Sequence, residues 1–317
     1  MSEGPPTGPA AGAAEQLLRD ELAQGDRAIA AARPVLRLLL TAHAPVQIDD
    51  EVVAHIRGAA FDVARQLLGA QSEVAARADP APGRADAIAA TLLDDPGFVA
   101  HAQALALEGR AAERLRRLGD IDPVLPPLVQ DLAASPDARQ AALAMAVLAA
   151  QARFQQYRRR LELPLRDLPG DLFHRALLAL RAHAGEDGRA AEAAERRLRG
   201  GYDESAGRLA LLARLVGGLG DSGGEALAAD RAGLSIFATA LAMAAGQDRD
   251  MALLALGGGQ PARLALSLRA AGLTVEAAAA QFAQLDPDGT LPEGLDRIAP
   301  AEAAALLTTG ELAGGRP

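Results

Sequence analysis

The sequence predicts an all-α protein, and three observations carry that prediction. Half of the 317 residues are hydrophobic, but aromatics make up only 3% and Trp is absent. Ala, Leu, Arg and Glu favour helix, whereas strands draw on β-branched and aromatic residues. Apolar residues recur three and four positions apart in several stretches, and no convincing period-two strand is present. Helix punctuation also recurs, as Asp-Pro or Ser-Pro at starts and Gly at ends.

The elements follow from these signals. Met1–Gly12 is rich in Pro, Gly and Ala without an apolar period and reads as a tail over residues 1–12. An N-terminal helical segment covers 13–78. In it Pro34 is expected to interrupt one helix and open the next. Asp49 and Asp50 then cap a helix whose Val53, Ile56, Ala60, Val63 and Leu67 form one stripe. Residues 79–83, within ADPAPG, form the linker candidate.

A central helical array is expected over 84–216, with cap-and-proline starts at Asp95-Pro96, Asp122-Pro123 and Ser135-Pro136. The helix from Ser135 carries Leu143, Val147, Ala150, Phe154, Tyr157 and Leu161, until Pro164 and Pro169 break the chain. Asp171 caps the next helix, with Phe173, Leu177, Leu180 and Ala184 on one face. A charged helix then ends at Gly200-Gly201. Residues 217–224 are a Gly-rich loop, 225–312 a C-terminal helical subdomain centred on the apolar Leu234–Ala245, and 313–317 a tail.

Short connections between such helices predict a multi-helical array of antiparallel hairpins, a degenerate HEAT-like α-solenoid, with a compact helical bundle as the alternative. No strict repeat of about 34 or about 40 residues is present. Because much of the apolar content is Ala, the helices should approach closely, through thin interfaces.

Charge and composition exclude several functions. The net charge of −9 argues against general nucleic-acid binding. All 32 basic residues are Arg, so neither a P-loop lysine nor a Schiff-base lysine is available. The absence of Lys and Asn, with abundant Ala, Gly, Arg and Pro, fits a GC-rich genome. Without Cys there is no disulfide, thiol nucleophile or thiolate metal site. The N-terminus lacks the basic and apolar regions of a secretory signal, and the apolar run Ala141–Ala150 is far shorter than the roughly 18 residues that span a bilayer. A cytoplasmic location, with no membrane association, is the expectation.

No motif carries a catalytic centre. Gly218 to Gly223 matches G-x-G-x-x-G, but a helix rather than a strand precedes it. Gly257–Gly259, before the helix opened by Pro261, could hold an anion near Arg263, although helix capping explains it more simply. The five histidines form no H-E-x-x-H. Gly233-Leu234-Ser235 begins like a nucleophile elbow, yet Phe237 stands where the closing Gly belongs. Asp286-Pro287-Asp288-Gly289 lacks the remaining oxygen ligands of a calcium loop and reads as a turn. No cofactor is expected. The sharpest charge cluster is Tyr157-Arg158-Arg159-Arg160, an arginine group able to grip an acidic partner.

Two stretches carry a resemblance. One is Asp122–Leu163, DPVLPPLVQDLAASPDARQAALAMAVLAAQARFQQYRRRLEL. The other is Gly233–Leu273, GLSIFATALAMAAGQDRDMALLALGGGQPARLALSLRAAGL. Together they resemble the DUF2336 family of mainly alphaproteobacterial proteins. The resemblance implies an all-α fold with HEAT-like hairpins and carries no catalytic residues over. The functional expectation is a helical protein-interaction or regulatory scaffold of a bacterial cytoplasm. It would bind another protein with modest affinity through Tyr157, Arg158, Arg159 and Arg160. The alternative is a small-ligand-binding protein or enzyme with an inter-helix pocket.

Overall fold

The computed structural model describes residues 9–41, 50–75, 83–220, 223–257 and 260–314. These residues form fifteen α-helices joined by short 3-10 turns, with no strand among them. In order they are α1 (Pro9–Thr41), α2 (Asp50–Ala75), α3 (Arg84–Asp94), α4 (Pro96–Gly119), α5 (Pro127–Ala133), α6 (Ala138–Arg159), α7 (Gly170–Ala182) and α8 (Gly188–Gly201). There follow α9 (Arg208–Gly217), α10 (Gly223–Ala226), α11 (Ala229–Ala245), α12 (Arg249–Leu256), α13 (Pro261–Ala270), α14 (Val275–Leu285) and α15 (Pro300–Gly314).

The chain divides into two compact units, each discontinuous in sequence. The first comprises Met1–Pro34, Arg110–Leu128 and Leu219–Pro317. The second comprises Val35–Gly109 and Val129–Gly218. In the second unit α2 packs against α3, α7 and α8, and α6 packs against α9. The α2 stripe is its spine: Ile56, Ala60, Val63 and Leu67 are fully buried, and Val53 is half-buried. Phe173, Leu177, Leu180 and Ala184 of the α7 region meet that core. In the first unit α13 packs against α11, α12, α14 and α15. Leu18 and Leu22 of α1 join Leu266, Ile298, Leu306 and Leu307 in one cluster. Contacts within each unit thus link helices far apart in the chain, as in a packed bundle. A solenoid would restrict each repeat to its neighbours.

Arginine does much of the capping in the first unit. Arg114 donates to the last carbonyls of α12 and α14, Leu256 O and Leu285 O. Arg269 donates to Leu273 O and Ile298 O. Each satisfies carbonyls that a helix end or turn leaves open.

Several local expectations are corrected. Helix α1 continues through Pro34, because a proline removes one backbone bond and the flanking Ala, Leu and Arg are strong helix formers. Asp122 caps only a turn, accepting from Val124 N and Leu125 N, and the helix begins later at Pro127. Asp137 rather than Ser135 caps α6, accepting from Arg139 N at 2.9 Å. Asp171 lies in the first turn of α7, whose cap position is Pro169. Gly200 and Gly201 belong to α8, which stops at Tyr202. Of the proposed tail, residues 9–12 are already helical and 1–8 lie outside the described residues. Gly83 of the linker is left-handed at φ 80° before α3, and the rest of 79–83 is likewise outside. Residues 221–222 and 258–259 of the two Gly-rich loops are outside as well.

Other expectations hold. Asp95 accepts from Phe98 N at 2.9 Å as the cap of α4. Leu234–Ala245 is helical and almost wholly buried, preceded by Gly233 at φ 67° against Pro126. The Asp286–Gly289 segment closes as a turn through Gly289 N to Asp286 O at 3.0 Å.

Candidate functional site

The second unit contains an irregular connector, Arg160–Pro169, between α6 and α7. Helix α6 ends there because Pro164 cannot continue it, and the ending is tight. Leu161 sits in the left-handed region at φ 57°, while Glu162 N reaches back to Tyr157 O at 2.9 Å. This is a Schellman ending with a leucine where glycine is usual, at a cost of roughly 1–2 kcal/mol. Gly58 of α2 makes room for it, since a Cβ there would lie 2.5 Å from Leu161 Cβ and 2.8 Å from its carbonyl.

A connector whose only helical bonds are those of one 3-10 turn, Leu165–Asp167, must place its other backbone polar groups elsewhere. Two side chains one turn apart on α2 do this. Asp62 Oδ2 accepts from Leu163 N at 3.0 Å. Gln66 donates to Leu163 O at 2.9 Å and accepts from Leu165 N at 3.0 Å. Tyr202 Oη then donates to Leu168 O at 2.7 Å. Each such group left unpaired would cost about 1–3 kcal/mol. The Tyr202 ring stacks on Phe173 at 4.0 Å and 5°. Burial first, and then the carboxylates of Glu204 and Asp171, push the Tyr202 phenol up to about 12.

The pinned connector walls a groove of about 720 Å³. Leu165, Leu198 and the Phe173–Tyr202 pair give it apolar surface, while Tyr157, Glu162, Arg166 and Arg197 supply polar groups. Arg166 donates to Tyr157 Oη at 3.0 Å, and Arg197 pairs with Glu73 at 2.6 Å. Beyond it lies an inner pocket of about 40 Å³, lined by Ala102, Leu105, Phe154 and Arg208. Tyr157, Glu162 and Pro164 line both spaces.

The inner pocket rests on a buried charge cluster. Arg208 forms two bonds of 2.8 Å to Glu108, one of 3.0 Å to Gln151, and lies 3.7 Å over the Phe154 ring. Both charged groups are buried, at 5% and 0% exposed. His55 completes the rim. Its Nδ1 lies 2.8 Å from Glu51 O and its Nε2 lies 3.1 Å from Arg158 O, which ties α2 to the end of α6.

The four residues Tyr157–Arg160 do not form one patch. Tyr157 faces the groove and inner pocket. Arg158 lies along α4 over Gly109, where a Cβ would meet its Cδ at 2.2 Å, with its guanidinium 3.6 Å from Glu51. Arg159 and Arg160 are exposed. Of the histidines, His174 meets Arg199 at 2.8 Å and His183 meets Thr91 at 2.7 Å. Among the described residues no group of three or more His, Asp or Glu is placed to hold a metal ion, and none of their helices is long and apolar enough to cross a membrane.

Sequence reasoning missed Asp62, Gln66, Glu108 and Arg208. The first two leave a faint signal, as polar residues four apart beside the α2 stripe. Glu108 and Arg208 leave none, since 100 residues separate them. Comparisons with protein-family models, with curated proteins and with solved structures found no match. The resemblance to the DUF2336 family rests on its two sequence stretches.

Proposed function

We propose that this protein binds a small organic ligand in the groove of the second unit, beside the α6–α7 connector. The observation that supports this reading is the groove itself: an apolar aromatic wall faced by hydroxyl, carboxylate and guanidinium groups converging from α6, the connector and α8. Ligand sites are commonly mostly apolar concavities with a few placed polar groups. Glu162 favours a ligand that carries a hydrogen-bond donor or a cationic group, with an apolar face against Tyr202 and Leu198.

The amino-acid composition supplies the test. The protein has two tyrosines and no tryptophan, and both tyrosines line this groove. Tyrosine emission therefore reports on the groove and on the inner pocket that shares Tyr157 with it. Titration with a library of small polar metabolites should give at least one saturable emission change that Glu162→Gln weakens tenfold or more. A library whose members leave emission unchanged while nevertheless raising the melting temperature would overturn the groove as the site.

The protein-interaction reading draws support from the exposed Arg159 and Arg160 at the end of α6. An acidic partner held there would be released by Arg159→Ala with Arg160→Ala, and its affinity would fall with salt.

A further inference from the structure

The charges that line the groove divide into those the protein has matched and those it has not. Asp62 is matched, since it accepts from Leu163 N, Gln66 and Arg65. Glu73 and Arg197 are matched to each other at 2.6 Å. Glu162 and Arg166 remain. The Glu162 carboxylate is half-buried and has no hydrogen bond or ion pair among the described residues. The Arg166 guanidinium donates to the neutral phenol of Tyr157 at 3.0 Å and is paired with no carboxylate among them.

Both residues stand on the connector, four positions apart, and the backbone that carries them is fixed. Asp62 and Gln66 hold it at Leu163 and Leu165, and the Leu165–Asp167 turn holds it at Arg166. An unmatched anion and an unmatched cation are thus presented by one fixed segment to one groove. A half-buried carboxylate gains more from a cation than an exposed one does, because the surrounding dielectric is lower. The guanidinium fork suits a carboxylate or a phosphate. With three carboxylates and two guanidiniums on its wall, the groove disfavours a phosphate and favours a ligand that brings its own cation. Leu198 and the Phe173–Tyr202 stack supply the apolar surface, against which a ligand ring packs offset or edge-on.

We infer that the groove takes a free amino acid with an aromatic side chain. The assignment rests on the groove being the ligand site and adds the ligand's chemistry. The ammonium pairs with Glu162, the carboxylate with Arg166, and the ring lies against Tyr202 and Leu198.

The test titrates the full-length, ¹⁵N-labelled protein and follows the amides of Leu198 and Tyr202. The probes are L-phenylalanine, phenethylamine, which lacks the carboxylate, and 3-phenylpropionate, which lacks the ammonium. L-phenylalanine should give saturable shifts, and each half-ligand should bind at least tenfold more weakly. Arg166→Gln should lower L-phenylalanine to the affinity of phenethylamine, and Glu162→Gln should lower it to that of 3-phenylpropionate. The Glu162 side chain makes no bond and Arg166 makes one exposed bond, so both variants should keep the parent's melting temperature. A half-ligand that binds as tightly as L-phenylalanine would overturn the zwitterion while leaving the groove as a ligand site. Unmoved amides with all three probes would overturn the amino-acid assignment, and the metabolite library then decides separately whether the groove binds a ligand at all.

Discussion

Arg208 and Arg263 are the same residue, each in the first turn of a helix and each almost removed from solvent, yet they stand in opposite states. Arg208 has a bidentate carboxylate, an amide oxygen and an aromatic face. Arg263 has one carboxylate oxygen, and two of its nitrogens have no partner among the described residues. The difference teaches that burial by itself does not fix how fully a charge is paired. What separates them is how many hydrogen bonds the protein's own side chains accept from the guanidinium, three for Arg208 and one for Arg263. At Arg208 the cluster joins α4, α6 and α9 beneath the inner pocket. At Arg263, Nε and Nη1 are left without a partner among the described residues.

The largest expected effect breaks the comparison directly. Arg208→Met strands the Glu108 carboxylate in the core and should cost about 3–5 kcal/mol in urea unfolding. Arg263→Met likewise leaves Asp26 without its partner, but only one hydrogen bond is lost and the Asp26 side chain keeps 10% exposure, so it should cost less than Arg208→Met. Equal losses from the two variants would remove the distinction.

A smaller effect sharpens the account of the connector. Gly58→Ala drives a Cβ into Leu161 Cβ and the Leu161 carbonyl, and overpacking of this kind costs about 1–3 kcal/mol. Gly69→Ala, on the same helix with open space around it, should instead stabilise by about 0.5–1 kcal/mol through helix propensity. The pair isolates the close approach from the general cost of glycine in a helix, and chemical denaturation of both variants measures it.

The smallest effect concerns Tyr202. Tyr202→Phe keeps the ring on Phe173 but loses the bond to Leu168 O, for about 1 kcal/mol. The folded phenol is raised to about 12, so below about pH 10 it is protonated in both states and its contribution is complete. From about pH 10 to about pH 12 the unfolded chain ionises first and that contribution is lost. The unfolding midpoint should fall through this window in the parent and fall less steeply in Tyr202→Phe.

How far the sequence reaches can be seen element by element. The α2 stripe and the α7 face were legible because helical periodicity is a local property, and Ile56, Val63, Leu177 and Leu180 are all fully buried. Cap residues were legible only to within a few positions. Ser135 and Asp137 are both good caps, and the choice between them depends on where the chain must enter the unit. The candidate site was scarcely legible. Tyr157 was singled out for its basic neighbours, but its role comes from facing Pro164, Glu162 and Tyr202, which approach it only after α6, the connector and α8 have packed.

By itself the sequence determined the all-α class, the positions of most helices and the exclusion of lysine- and cysteine-based chemistry. Those follow from composition and from periods of three to four residues, which act over one or two turns. The tertiary structure alone decided that the chain folds into two discontinuous units, that Asp62 and Gln66 hold a distant connector, and that Arg208 makes three side-chain hydrogen bonds where Arg263 makes one. Each of these depends on partners up to 237 residues away in the chain. Hydrogen-bond satisfaction is a property of the assembled interior, and no local pattern encodes it.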